Sequence, residues 1–178
     1  DNMDGITAQT SFFIITTAII FLSFNSGFEK YDYMICLGAI GSIIGFLFYN
    51  FHPSRMFMGD SGSQFLGLLV AIIGIKYFWN IEDFKTGTTI LTKQIVTVLI
   101  VFTLPIVDTT SVVINRIARK SSPFVGGKDH TTHHLSYLGF NDTQISFIFA
   151  GISFLSCIIA ISIYRFVHHW TWINTTLY

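Results

Sequence analysis

Gln144-Ile145-Ser146-Phe147-Ile148-Phe149-Ala150-Gly151-Ile152-Ser153-Phe154-Leu155-Ser156-Cys157-Ile158-Ile159-Ala160-Ile161-Ser162-Ile163-Tyr164-Arg165-Phe166-Val167 carries a single charge, Arg165, close to its end. Crossing the hydrocarbon core of a bilayer takes about 17–25 predominantly apolar residues, and this run is long enough. It is apolar on every side, whereas a spanning strand would alternate. Helices and closed barrels alone satisfy the backbone in lipid, so the run reads as a membrane helix. Four further stretches read the same way, near residues 9–25, 32–51, 64–79 and 93–114. The third is short, and its flanks can extend it. The fourth contains Pro105 and Asp108, so it is not a plain lipid-facing helix. The expected fold is an all-α polytopic membrane bundle of about five transmembrane helices, with residues 1–178 forming part of one integral-membrane domain.

Composition supports this. Hydrophobic residues make up 51% of the 178 and charged residues 11%, against about 25% charged in a soluble domain. Formal net charge is zero, so no bulk field recruits nucleic acid. Cys36 and Cys157 lie in apolar runs and read as packing residues rather than a disulfide or metal pair. Gly41 and Gly45 form a GxxxG step, with Gly38 one turn earlier, and Gly67 and Gly74 are spaced by seven; such positions allow close helix approach. The chain opens without Met or signal peptide on the polar Asp1-Asn2-Met3-Asp4-Gly5 and reads as a fragment whose upstream part is missing.

Five crossings divide the polar segments between two sides. One side receives residues 1–8, 50–63 and 115–143, with Asp1, Asp4, His52, Arg55, Asp60, Asp129, His130, His133 and His134. The other receives 26–31, 80–92 and 168–178, whose charges read as solvated loop charges, and the helix ends carrying Trp79, Trp170 and Trp172 as interfacial anchors. Lys and Arg are evenly divided, but the cluster Arg116-Arg119-Lys120 tips the first side toward the cytoplasm.

Four constellations on or near that side can carry chemistry. In Phe57-Met58-Gly59-Asp60-Ser61-Gly62-Ser63 a carboxylate sits between glycines just before a predicted helix. Ser61 or Ser63 can cap that helix, and its free N–H groups favour an anion such as a diphosphate. Asp60 can then hold a hard cation bridging that diphosphate. The bland reading, a capped helix start with a solvated Asp, is equally open. Asp1 and Asp4 are three residues apart, so a helical turn would place them on one face to share a metal or supply a base. The loop from Ser121 to His134 carries Lys128, His130, His133 and His134, with the histidines spaced to converge beside phosphate or metal. Asp108 marks a functional site by its cost in lipid, or pairs with Arg116 or Arg119.

These residues resemble a known family. Phe57 to Ser63 is similar to the FMGD-x-GS signature of the polyprenyl-phosphate N-acetylhexosamine-1-phosphate transferases, bacterial glycosyltransferase family 4. Pro105-x-x-Asp108-Thr109 followed by Arg116 resembles the family's P-x-x-D-T…R helix, and Ser122-Pro123-Phe124 leading to the histidines resembles its last cytoplasmic loop. Asp1-Asn2-Met3-Asp4-Gly5 looks like the end of its D-G-x-D-G motif, with Asn2 in place of the usual glycine. The matches keep their order along nearly the whole chain and look closest to the teichoic-acid or O-antigen initiating branch. The resemblance implies the C-terminal half of an Mg²⁺-dependent enzyme in the bacterial cytoplasmic membrane, with its site in cytoplasmic loops. It implies transfer of N-acetylhexosamine 1-phosphate from a UDP-N-acetylhexosamine to polyprenyl phosphate, releasing UMP.

By resemblance, Asp60 is the magnesium ligand, Asp1 and Asp4 are the acidic catalytic pair, and His130, His133 and His134 meet the nucleotide or diphosphate beside Ser61, Gly62 and Lys128. The expected partners are the bilayer, polyprenyl phosphate and the UDP-sugar, with a homodimer as a further expectation and no nucleic acid. The isolated fragment is expected to be inactive. A reading from another class makes the chain a secondary transporter or channel with Asp108 as its intramembrane coupling residue. No internal repeat supports it.

Overall fold

A computed structural model describes residues 3–24, 30–80, 90–122 and 129–167. The described elements are all helical: α1 (Ile6–Phe24), α2 (Lys30–Asn50), α3 (Gly59–Gly74) continued by a π-helical turn (Ile75–Trp79), α4 (Leu91–Val101), α5 (Thr103–Ala118), α6 (Thr131–Tyr137) and α7 (Asp142–Phe166). Four spans are long and apolar enough to cross a membrane, and α4 with α5 make a fifth if that bent pair is one crossing. The fold is the polytopic helical bundle that the apolar runs imply.

Contacts at the helix ends give the direction of each crossing. At one end, Gly5 N–H before α1 donates to Asn50 at the end of α2 (3.0 Å), and Gln9 exchanges hydrogen bonds with Ser146 at the start of α7. At the other end, Phe21 of α1 stacks on Tyr164 of α7, Asp32 of α2 pairs with Lys76 after α3, and Lys93 of α4 donates to the Val167 carbonyl after α7. Successive crossings therefore alternate, and the end at Gly5, Asn50 and Ser146 collects the polar segments that counting assigned to one side.

α1 is the central helix. More than half of its span is buried (56%), against 17% for α2. Its Phe21 sits between Tyr164, stacked at 4.6 Å, and Phe78, edge-on at 5.3 Å. Cys36 and Cys157 are buried and free, as packing residues would be. Gly38, Gly41 and Gly45, in contrast, face open space, because the GxxxG face of α2 points away from the bundle, and Gly67 of α3 opens onto a cavity. Among the described residues that step forms no helix contact.

The stretch expected as one helix over 93–114 is two helices bent by 76° at Phe102. Pro105 has no N–H to donate to the carbonyl of Val101, so the ladder cannot run through. The break is partly repaired by the Thr103 hydroxyl, which donates to Leu99 O (2.9 Å) and Ile100 O (2.7 Å). The bend is also wedged from outside. Phe102 Cζ lies 2.8 Å from where a Cβ on Gly74 would stand. Gly74→Val should therefore displace Phe102 and cost about 1–3 kcal/mol by overpacking. A lowered apparent melting temperature in detergent is the expected result.

Candidate active site

The glycine-bounded acidic turn is built by α3 itself. α3 begins at Gly59, earlier than its apolar run suggests, so Asp60 lies within the first turn rather than before it. Gly59 takes φ +67°, a left-handed conformation that glycine adopts without penalty. A Cβ on Gly62 would stand 2.8 Å from Met58 Cγ, so the turn closes tightly on that side chain. Neither Ser61 nor Ser63 caps the helix. No side chain does, and the Ser63 hydroxyl donates instead to the Asp60 carbonyl at 3.1 Å. The leading N–H groups of α3 thus stay open to an anion, with Asp60 exposed among them.

Asp4 sits in a turn before α1, not in a helix, and is held by the segment after α2. Ser54 N–H donates to Asp4 Oδ2 at 3.2 Å, and His52 Nδ1 lies 3.3 Å from the same oxygen. His52 Nδ1 also lies 3.6 Å from Asp142 Oδ2, in the first turn of α7. Asn50 is buried and braces this arrangement, accepting from Gly5 N–H and donating to Met56 O at 2.8 Å.

Asp108, His130 and Thr131 form a third group. Asp108 accepts from Thr131 N–H (2.8 Å), the Thr131 hydroxyl (2.6 Å) and His130 Nδ1 (2.8 Å). Thr131 opens α6 and His130 is its N-cap residue, so a carboxylate from α5 caps the histidine helix. Asp108 does not take Arg116 or Arg119 as its partner. Arg116 lies eight residues further on, roughly 12 Å along the helix at 1.5 Å per residue. Both arginines hold Asp129 instead, Arg116 Nε at 3.1 Å and Arg119 Nη1 at 2.9 Å. Asn115, two turns from Asp108 on the same stripe, meets His134 Nε2 at 3.5 Å. The three histidines therefore do not converge on one point. His130 and His133 are neighbours, with ring centroids 6.5 Å apart, while His134 turns to α5.

A cavity of about 410 Å³ joins these elements. Its polar end is lined by Ser63, Asp108, His130 and Thr132, and its apolar end by Ile14, Val70, Phe102 and Phe149. Asp60 lies one turn from Ser63 and two from Gly67, both lining residues, so it stands above the same face of α3. Asp142 is two turns above Phe149 on α7 in the same way. Thr132 is buried, and its hydroxyl has no partner among the described residues. Among the described residues no three His, Cys, Asp or Glu side chains converge on a common metal position.

Residues 1–78, which contain both the Asp4 turn and the Asp60 turn, match the model of glycosyl transferase family 4. Over 161 residues, 90% of this chain, it is 33% identical to a probable undecaprenyl-phosphate N-acetylglucosaminyl 1-phosphate transferase of Bacillus subtilis (strain 168), covering 42% of that protein. The match to glycosyl transferase family 4 thus takes in the first 78 residues, and the similarity to this relative extends over most of the rest. Over 165 residues, 92% of its length, the chain is also 30% identical to a phospho-N-acetylmuramoyl-pentapeptide-transferase of Geobacillus sp. (strain WCH70), covering 45% of it. In an alignment of 183 positions that takes in 91% of the chain, it is 26% identical to the protein of that name from Campylobacter jejuni (strain RM1221), covering 46% of it. The chain thus spans less than half the length of these relatives.

Of the site residues expected from the family 4 resemblance, Asp60, Ser61 and Gly62 share the first turn of α3, and His130 and His133 stand together at the start of α6. Asp4 belongs to the neighbouring His52 group, and Asp1 and Lys128 lie outside the described residues. Sequence reasoning did not single out Asn50, Asp142, Thr131 or Thr132. Asn50 had a signal, as the polar residue ending an apolar run. So did Asp142, which follows Asn141 in a capping box that Gln144 completes.

Proposed function

We propose that the full-length protein carrying this chain transfers N-acetylhexosamine 1-phosphate from a UDP-sugar to a polyprenyl phosphate at the cytoplasmic face of the membrane, releasing UMP. The observation that carries this reading is the amphipathic cavity. Its polar end joins the α3 turn to the Asp108-held histidine helix, and its apolar end runs into the bundle. An acceptor that is a phosphate at one end and hydrocarbon at the other has that same profile. The name of the Bacillus subtilis relative, a probable undecaprenyl-phosphate N-acetylglucosaminyl 1-phosphate transferase, agrees with a phosphosugar reaction on a lipid carrier.

In this scheme the uncapped N–H groups of α3, with Ser61 and Gly62, receive the diphosphate of the donor. His130, which lines the same cavity, and His133 beside it meet that diphosphate, and the Thr132 hydroxyl donates to a phosphate oxygen; Lys128 is assigned to the same anion by its charge alone. His134, anchored on Asn115, holds α6 in place. The lipid phosphate oxygen attacks the β-phosphorus. A new phosphorus–oxygen bond forms there, and the bond to the α-phosphate's bridging oxygen breaks, so UMP leaves with that oxygen. Asp4, held by Ser54 and His52, is one of the acidic catalytic residues, and the family resemblance alone assigns Asp1 to act with it.

The donor set suits magnesium. Asp60 offers an exposed carboxylate that makes no hydrogen bond or ion pair among the described residues, and Mg²⁺ usually takes one or two carboxylates with phosphate oxygens. When bound, magnesium supplies neutralisation of the diphosphate charge. The transport reading has no comparable support, because the Asp108 carboxylate is engaged by His130 and Thr131 rather than left to couple an ion.

The test uses membranes containing the full-length protein, undecaprenyl phosphate and UDP-N-acetylhexosamines labelled in the sugar. Label is expected to enter the organic phase with release of equimolar UMP. Label remaining in water for every UDP-N-acetylhexosamine, while ion-driven solute uptake is detected, would overturn the proposal in favour of transport.

A further inference from the structure

We infer that Asp108 is a positioning residue: it fixes the ring orientation of His130 and the start of α6, so that His130 Nε2 faces the cavity. This rests on the phosphosugar-transferase reading for what His130 then does, but the contact itself does not. Asp108 is an ionisable group on a helix that runs through apolar surroundings, where such groups are costly and must find partners. It finds them on one short segment. A carboxylate oxygen only accepts, so the Nδ1 atom of His130, 2.8 Å away, is the donor. That fixes which ring nitrogen carries hydrogen on the Asp108 side and turns Nε2 the other way.

The second oxygen of Asp108 takes both the Thr131 N–H and the Thr131 hydroxyl. One carboxylate therefore sets the position of the helix and the rotation of the ring together. Both Asp108 and His130 line the cavity, and among the described residues no other residue hydrogen-bonds the His130 ring. The 76° bend at Phe102 makes this possible, because it re-aims α5 so that its Asp108 stripe meets the segment 129–131. Partners that orient an active imidazole in this way typically cost roughly 10–100-fold in activity when removed.

The experiment uses the full-length protein in detergent, as wild type, Asp108→Asn, His130→Gln and the double variant. Asp108→Asn keeps an oxygen for Thr131 and loses the carboxylate facing Nδ1. Its kcat should fall by roughly 10–100-fold with KM for the UDP-sugar nearly unchanged. In the double variant the fall should be little larger than in His130→Gln alone, since the two act as one unit. Multiplicative losses in the double variant would overturn the proposal. Independently, the wild type labelled with 15N-histidine should show His130 protonated at Nδ1, its signal identified by its loss in His130→Gln. Protonation of His130 at Nε2 alone would overturn the proposal. If the wild type turned over no UDP-sugar, the functional reading would fail, and the nitrogen spectrum would still decide the contact. It decides as well if Asp108→Asn does not fold.

Discussion

Asp60→Asn in the full-length protein is expected to lower magnesium-dependent UMP release by at least about 100-fold, the scale seen when a group that stabilises developing charge is removed. Asn keeps the shape of the side chain and removes the hard anionic donor. The fold should survive the change. Asp60 is exposed in the first turn of α3, and its favourable interaction with the helix dipole is worth only about 0.3–1 kcal/mol. An activity loss far larger than the accompanying change in melting temperature would therefore report on chemistry rather than folding. Raising magnesium should recover part of the rate if the carboxylate is a ligand. Near-normal turnover by the variant at ordinary magnesium would remove Asp60 from the metal role.

The largest stability effect is expected at the other end of the bundle. Asp32 is buried, with its side chain 7% exposed, and it pairs with Lys76, whose side chain is 52% exposed. Lys76 comes from the π turn after α3. Removing one partner of such a pair is asymmetric. Lys76→Met strands a buried carboxylate and should cost about 3–5 kcal/mol. Asp32→Leu leaves a half-exposed ammonium that can reach water along its own stem, and should cost much less. The double variant Asp32→Leu/Lys76→Met should recover most of the loss, since replacing a buried pair by apolar side chains is often neutral. The order of apparent melting temperatures in detergent checks this. Equal losses for the two single variants would show that Asp32 is not the stranded charge.

The helices and their sidedness were legible because membrane insertion is a nearly one-dimensional problem. Run length and the cost of charge in lipid are properties of the chain alone, and counting five crossings placed Asp4, Asp60 and His130 at one end. The Asp60 turn was legible too, since Gly59, Asp60 and Gly62 are adjacent in sequence and a helix N-terminus needs only local geometry. Its cap was misread, because the helix starts at Gly59 and carries Ser61 and Ser63 inside its first turns. The bend at Phe102 was half visible in Pro105. Its size depends on Gly74 leaving room for the Phe102 ring, a contact 28 positions apart in sequence.

The chain by itself therefore determined an all-helical membrane bundle with one acidic, histidine-rich end, because hydrophobic length and parity need no partner to be read. Only the tertiary structure decided which charge meets which: Asp108 with His130 and Thr131, Arg116 and Arg119 with Asp129, His52 between Asp4 and Asp142. Those choices depend on distances of a few ångströms between helices, and the Coulomb and hydrogen-bond terms that select among them change over that same scale.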